Sequence, residues 1–159
     1  MRSTEHNSRA VIATFLATKR IAAVGVSSNP RDFTRSLMKD LVERGYDIIP
    51  VNPAVSAMDG RPCYHSVSDI QPPVDAALLL TPPTATEQVV HECAASGIGL
   101  IWMHRGGGTG AVSKAAVEFC REHSIKVIVG ECPLMFLPQS GWPHRFHGFL
   151  RKITGAYPQ

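Results

Sequence analysis

A short polar loop after the first predicted strand could hold an anion. It carries two hydroxyls, an amide and a guanidinium, and its residues are Gly25, Val26, Ser27, Ser28, Asn29 and Arg31. A helix is predicted to begin directly after this loop, and the N–H groups and dipole of a helix N-terminus favour an anion such as a diphosphate. The alternative is that the serines and the asparagine only form a turn, with Asp32 as the helix cap. The loop by itself leaves both interpretations open.

The same loop argues against a nicotinamide dinucleotide site. The GxGxxG pattern, started at Gly25, would need glycines where Ser27 and Pro30 stand. At the end of the second predicted strand the chain has Asn52, where the dinucleotide pattern needs an acidic residue to hold the ribose hydroxyls. The sequence therefore favours a phosphate-bearing ligand other than NAD.

Histidine and cysteine side chains offer further chemistry. His104 follows the fourth predicted strand, where an imidazole that titrates near neutrality could serve acid–base catalysis. The alternative is a histidine that points to solvent or bonds to the glycine turn after it. Cys132 has no neighbouring base and is predicted to be buried and unreactive. His144 and His147 stand three residues apart without a nearby cysteine or carboxylate, so we predict no metal site.

These side chains must be positioned by elements that alternate along the chain. Short apolar runs of the kind buried in parallel sheets are separated by segments with helical spacing. Strands are predicted over residues 21–26, 47–51, 74–80, 100–103 and 126–129. Helices are predicted between the strands and also over residues 1–18 and 144–154. The alternation predicts an α/β fold, a single doubly wound Rossmann-like domain over residues 1–159, with a five-stranded parallel sheet flanked by helices.

Composition limits the class of partner. The 159 residues are 44% hydrophobic and 18% charged, which suits one folded domain. The net charge of +3 is too small for a nucleic-acid arm or a polybasic membrane patch. No apolar run approaches the roughly 18 residues of a bilayer span. The four cysteines lack CxxC spacing, and no segment before them reads as a secretory signal. We therefore expect a cytoplasmic protein with a small-molecule ligand, and neither nucleic acid nor membrane as partner.

Six short segments stand in unbroken order between Ile21 and Cys132. They are VGVSSNP at 24–30, GYDIIPVNP at 45–53, GRPCY at 60–64, PVD at 73–75, TPP at 81–83 and IWM at 101–103. As a set they resemble the stand-alone CoA-binding domain family, which is similar to the N-terminal CoA-binding domain of the succinyl-CoA synthetase alpha subunit. No single segment would be specific enough to indicate this family.

The resemblance implies a Rossmann-like fold that holds coenzyme A along the strand ends, with the CoA phosphates at the loop of residues 25–31. Beyond that loop it implies contacts from Asn52 and Pro53 on the adenosine side, from Thr81 and Pro82 along the pantetheine arm, and from Pro83 and His104 beside them. It implies no catalytic group, because the phosphohistidine of the synthetase lies on a separate second domain. The predicted function is therefore binding of CoA or acyl-CoA without catalysis.

Three alternatives stay open. One is a small CoA-dependent acyl-transfer or thioester enzyme that uses His104. Another is a nucleotide-sensing interaction module whose basic C-terminal helix docks a partner; the aromatic residues of that helix also form a candidate homodimer surface. The last is a structural domain without ligand, since Thr81 and Gly130 stand where the family shows an arginine and an acidic residue.

Overall fold

The structure is a computed structural model that describes residues 7–106 and 108–138. The strands are β1 (Arg20–Val24), β2 (Asp47–Val51), β3 (Ala57–Met58), β4 (Arg61–Pro62), β5 (Ala76–Leu79), β6 (Leu100–His104) and β7 (Lys126–Glu131). Five of them form a parallel sheet in the order β2-β1-β5-β6-β7, while β3 and β4 form a separate antiparallel hairpin. The predicted α/β fold with a five-stranded parallel sheet is confirmed. Its extension as one domain over residues 1–159 stays a prediction.

Four α-helices accompany the sheet: α1 (Arg9–Ala17), α2 (Phe33–Glu43), α3 (Pro83–Ala95) and α4 (Lys114–Glu122). Three of them begin at a residue whose side chain accepts a hydrogen bond from the first turn, namely Ser8, Asp32 and Ser113. The fourth, α3, begins with a proline, whose missing N–H costs nothing at that position. Two 3₁₀ turns, Val67–Asp69 and Pro133–Met135, complete the described elements.

The sheet is covered on both faces, which explains why its strands are apolar almost throughout. All residues of β5 and β6 are buried. One face packs on a core that contains Phe15, Leu37, Ile48 and Trp102, and the other on a core that contains Val90, Cys93, Ile101 and Cys120. Within the described ranges, no helix combines the length and the apolar character needed to cross a membrane.

Several predicted boundaries need correction. The first strand ends at Val24 rather than at residue 26, because Gly25 turns the chain with a φ of +92°. The third strand covers Ala76–Leu79 rather than residues 74–80, and the last two continue to His104 and Glu131. The hairpin of β3 and β4 was not predicted. The N-terminal helix covers Arg9–Ala17 of the predicted 1–18, and the predicted C-terminal helix at 144–154 lies outside the described residues.

Strand order reverses between β1 and β5. The chain goes from β1 outward to β2 and then returns to place β5 on the other side of β1. In open α/β sheets such a reversal leaves a crevice at the carboxyl ends of the two strands, where ligands bind. The loop after β1 and the segment after β5 meet there, and the Leu80 N–H donates to the Val24 carbonyl at 2.8 Å.

Candidate functional site

The polar loop after β1 is held together by its own side chains. The Ser27 hydroxyl accepts from the Asn29 N–H at 3.1 Å, and the Asn29 carboxamide oxygen accepts from the Arg31 N–H at 3.0 Å. Asp32 caps α2 by accepting from the Thr34 N–H at 2.8 Å. The turn-and-cap interpretation is therefore confirmed for these side chains. An anion at this loop would meet the start of α2, the exposed Arg31 and the donor groups that the Ser27 hydroxyl and the Asn29 carboxamide do not use within the loop.

The cap also places a fixed negative charge at the start of α2. Hydrogen bonds from the Thr34 hydroxyl, at 2.6 Å, and from the Thr34 N–H hold the pKa of Asp32 below its ordinary value. The ionised carboxylate stabilises the helix dipole. It also means that a diphosphate here would have Asp32 as a neighbour, which makes the guanidinium of Arg31 more important as a counter-charge.

Arg35 ties the loop to the β3–β4 hairpin, a role that the sequence did not reveal. Its Nη1 donates to the carbonyls of Ser27 at 3.3 Å and Ser28 at 3.2 Å, and its Nε donates to Asp59 Oδ2 at 3.1 Å. The guanidinium thus bridges two loops that are far apart in sequence. The only sign of this role in the sequence was an arginine in the first turn of α2. Such an arginine is also typical of a solvated helix face.

Asn52, predicted on the adenosine side of the ligand, links β2 to the loop after β1. Its Nδ2 donates to the Val26 carbonyl at 2.9 Å, and its Oδ1 accepts from the Ala54 N–H at 2.8 Å. Pro53 lies beside it and is exposed. Asn52 therefore positions the loop after β1, whereas the exposed Pro53 has a surface that is open to contact.

Gly25 and Thr81 stand against each other at the strand reversal. A Cβ added to Gly25 would lie 2.9 Å from Thr81 Cγ2 and 3.0 Å from the Thr81 nitrogen, and the glycine φ is +92°. Both facts require glycine here. The Thr81 hydroxyl is 2.7 Å from the Thr86 hydroxyl, near the start of α3, and is therefore engaged within the protein. Pro82 and Pro83 begin α3, with Pro82 exposed and Pro83 half-buried.

A cleft of about 440 Å³ opens between the start of α2 and the carboxyl ends of β5 and β6. Its lining residues are Phe33, Thr34, Leu80, Thr81, Pro82, His104, Gly106, Gly110 and Ala111. Three of the predicted contact residues, Thr81, Pro82 and His104, come together there. The cleft and the loop after β1 are thus two neighbouring parts of one edge of the sheet, joined by the first turn of α2.

His104 is a wall of this cleft and not a surface residue. Its side chain is only 6% exposed, so the alternative of a histidine that points to solvent was wrong. The imidazole lies against the ring of Phe33, with 5.4 Å between the ring centroids. Phe33 itself is 46% exposed. The sequence analysis did not identify Phe33 as a candidate site residue.

Another wall of the cleft is the glycine-rich segment after β6, which folds back over the carboxyl end of β6. The Ala111 N–H donates to the His104 carbonyl at 2.8 Å. A Cβ on Gly110 would lie 2.4 Å from that same carbonyl oxygen, and the Gly110 φ is +57°, so this turn needs a glycine. A Cβ on Gly106 would lie 3.5 Å from His104 Cε1, an ordinary contact. The wall near Gly106 is therefore open because the side chain is small, not because the backbone demands it.

The cysteines take no part in this site. All four are buried, as predicted for Cys132. Burial raises the pKa of Cys93 to about 12 and the pKa values of Cys120 and Cys132 to about 11. Since the thiolate is the reactive form, these three thiols are poor nucleophiles at neutral pH.

The chain is thus a doubly wound α/β domain with a cleft at the strand reversal. Residues 19–138 match the family model of the CoA binding domain, and the chain belongs to that family. An ADP-forming acetate–CoA ligase of Methanocaldococcus jannaschii is 26% identical over 118 residues, which are 72% of this chain and 17% of the ligase. The Bacillus subtilis protein YneT is 28% identical over 114 residues, which are 72% of this chain and 82% of YneT.

The solved structures agree with this assignment. A hypothetical protein from Pyrococcus horikoshii OT3 superimposes with a TM-score of 0.74 at 28% identity, over 84% of this chain and 92% of that protein. The chain spans only 17% of the M. jannaschii ligase and 27% of the alpha subunit of the Pyrococcus furiosus acetate–CoA ligase II. Its similarity to these ligases therefore covers only a minor part of their length.

Proposed function

We propose that this protein binds coenzyme A or acyl-CoA along the carboxyl edge of its sheet and has no catalytic activity of its own. The observation that carries the proposal is the cleft at the strand reversal, next to the N-terminus of α2, in a chain of the CoA binding domain family. A helix start favours the diphosphate, and a mostly apolar cleft suits the sulfur end of the pantetheine arm.

In the proposed pose the ligand runs across the edge from β2 towards β6. The adenosine lies on the side of Asn52 and Pro53, and the diphosphate lies at the loop of residues 25–31, above the first turn of α2. The pantetheine arm then passes Thr81 and Pro82, so that the sulfur reaches the cleft beside His104. Pro83 supports this path from the first turn of α3.

Ligand-dependent thermal stability tests the proposal directly. The melting temperature is measured with CoA, acetyl-CoA, dephospho-CoA, NAD and ATP, each in large excess. A ligand at about a hundred times its dissociation constant stabilises the folded state by about 2.7 kcal/mol, which is an easily measured shift. We expect a rise with CoA and acetyl-CoA and none with NAD. No shift with any of these compounds would leave the chain as a structural domain that lacks the ligand of its family.

Arg31 should contribute strongly to binding because it faces solvent next to the ionised Asp32. Arg31→Ala is expected to weaken CoA binding by about 1.5 to 3 kcal/mol, the scale of a hydrogen bond to a charged group. Arg121→Ala is the matched control, because Arg121 is an exposed arginine in the last turn of α4, at the opposite edge of the sheet. Isothermal titration of both variants measures the effect, and equal affinities would remove Arg31 from the site.

A thioester enzyme remains the second candidate, because His104 lines the cleft in which the sulfur would lie. In such a reaction His104 would take a proton from water as the oxygen attacks the thioester carbonyl, and the carbon–sulfur bond would break to release the thiol of CoA. Release of that thiol from acetyl-CoA is measured with wild type and with His104→Ala. Release by wild type that is lost in the variant would establish the enzyme. Release at the uncatalysed rate by both would support pure binding.

Oligomeric state separates the binding protein from an interaction module. Size-exclusion chromatography with and without CoA shows whether a homodimer forms and whether the ligand changes it. A ligand-dependent change would favour the module, and the basic C-terminal segment would then be the first region to truncate.

A further inference from the structure

The described residues that line the cleft lack the fixed charges that the rest of this edge carries. Of the nine described residues that line it, none is a lysine, arginine, aspartate or glutamate. Charged residues stand close by, with Arg31 and Asp32 before α2 and Arg105 after β6, yet they are not part of the lining. The guanidinium of Arg105 lies instead over Gly130, whose added Cβ would be 3.4 Å from it. The lining thus changes from charged to neutral between the loop and the cleft.

Phe33 gives the cleft an apolar wall that the fold does not need. It is the one large hydrophobic side chain that is exposed among the described residues. As the first residue of α2 it does not belong to the buried face of that helix, which consists of Leu37, Met38 and Leu41. Its ring lies against His104 and leaves almost half of its surface to solvent. A ligand group in the cleft would cover that surface.

We propose that this end of the cleft is an acyl-selecting chamber that prefers a neutral, apolar acyl thioester of CoA to free CoA and to acyl groups that carry a carboxylate. Phe33, Leu80 and Ala111 supply the apolar surface, and the His104 ring lies at the buried end. The inference rests on the proposed function, because the CoA portion must first bring the sulfur to the cleft. What it adds is the class of acyl group and the residues that select it.

Two physical effects produce the selection. Each methylene of the acyl chain that leaves water should tighten binding by up to about fourfold. A terminal carboxylate in the same place would lose its hydration without meeting a lysine or an arginine among the described lining residues, which should weaken binding by about tenfold or more. Butyryl-CoA and succinyl-CoA test this difference well, because their acyl chains have the same number of carbons and differ in a terminal methyl or carboxylate.

Gly106 allows the chamber to be filled without disturbing the backbone. Its φ is not in the left-handed region, and an added Cβ makes only an ordinary contact with the His104 ring at 3.5 Å. Gly106→Val should therefore occupy acyl space while the loop after β1 stays unchanged. Ala95→Val, at an exposed position at the end of α3, is the matched control that adds a branched side chain far from the cleft.

Isothermal titration of wild type with free CoA, acetyl-CoA, butyryl-CoA and succinyl-CoA tests the proposal. We expect butyryl-CoA to bind about 4- to 15-fold more tightly than acetyl-CoA and at least about tenfold more tightly than succinyl-CoA. Gly106→Val and Phe33→Ala should each remove most of the butyryl advantage, so that butyryl-CoA and free CoA bind each variant almost equally. Ala95→Val should behave as wild type.

The outcomes separate the two proposals. Equal affinity for butyryl-CoA and succinyl-CoA in wild type would overturn the acyl chamber and leave CoA binding intact. A Gly106→Val variant that loses affinity for free CoA and for butyryl-CoA equally would also overturn the acyl chamber. The space next to Gly106 would then hold the pantetheine arm itself. Absence of binding by every CoA compound would overturn the proposed function and the chamber with it.

Discussion

The two parts of the candidate site, the loop after β1 and the cleft after β6, are built in opposite ways. In the loop after β1, serine, asparagine and aspartate side chains accept hydrogen bonds from the backbone of the loop, and Arg35 and Asn52 fasten the loop from outside. In the cleft after β6, the walls are rings, small residues and glycines. The first part uses most of its polar side chains to fix its own shape, whereas the second leaves apolar surface open.

The difference teaches which residues to expect against a ligand. A polar side chain in a turn is often needed by the turn itself, as Ser27 and Asn29 are. Such a loop offers a fixed backbone and a helix start, which lowers the entropic cost of binding. An apolar side chain that stays exposed, as Phe33 does, has no such structural role, so its position beside a cleft is informative.

The largest effect should come from closing the cleft through its backbone. Gly110→Ala places a Cβ within 2.4 Å of the His104 carbonyl oxygen at a φ of +57°. We expect the free energy of unfolding to fall by about 3 kcal/mol or more, measured by urea denaturation. Gly106→Ala is the control, with an expected loss below about 1 kcal/mol. Equal losses in the two variants would mean that the backbone of this wall adapts freely and that Gly110 is not required.

A smaller effect should come from removing the Arg35 hydrogen bonds that hold the loop after β1. Arg35→Met keeps the aliphatic stem but loses the hydrogen bonds to Ser27, Ser28 and Asp59, so we expect unfolding to become easier by about 1 to 2 kcal/mol. Lys39→Met removes an exposed cation whose ion pair with Glu43 spans 3.9 Å, and should cost less than about 0.5 kcal/mol. Chemical denaturation compares them. If both variants unfold alike, the bridge to the hairpin does not hold the loop.

The smallest effect concerns the acid sensitivity of the loop. Hydrogen bonds from Thr34 lower the pKa of Asp32 in the folded state, so the ionised carboxylate favours folding. This contribution is present above the ordinary aspartate pKa of about 3.9 and is lost as the pH falls through the lower folded value. Asp32→Ala should cost about 1 kcal/mol at pH 7, and Asp32→Asn less, because asparagine also caps helices well.

Asp32→Asn serves as the control for charge. Its stability should fall less steeply than that of wild type as the pH falls from about 4.5 to about 2, as followed by thermal melting. Parallel curves for the two proteins would show that the Asp32 carboxylate does not contribute to acid sensitivity. Gly106→Ala should leave the acid limb unchanged, because it keeps the hydrogen bonds between Thr34 and Asp32 and adds no titratable group.

Local pattern alone determined the architecture. The five apolar runs, the turn residues after them and the helical spacing between them depend on neighbours in sequence, and they predicted the parallel sheet and the edge that holds the site. The same patterns placed strand ends only to within a few residues. Gly25, for example, ended β1 early because of its close approach to Thr81, and a contact across the sheet leaves no trace in local spacing.

Only the tertiary structure decided which residues line the cleft. The chain brings Phe33 to His104, Arg35 to Asp59 and Asn52 to Val26, pairs that no sequence period connects. Their partners are set by crossovers that return distant segments to the same edge of the sheet. The sequence could therefore point to the loops after the strands as the candidate site. The division of that site into a self-bonded loop and an open apolar cleft arose from packing. Burial and hydrogen-bond partners are properties of the assembled edge and not of the local sequence.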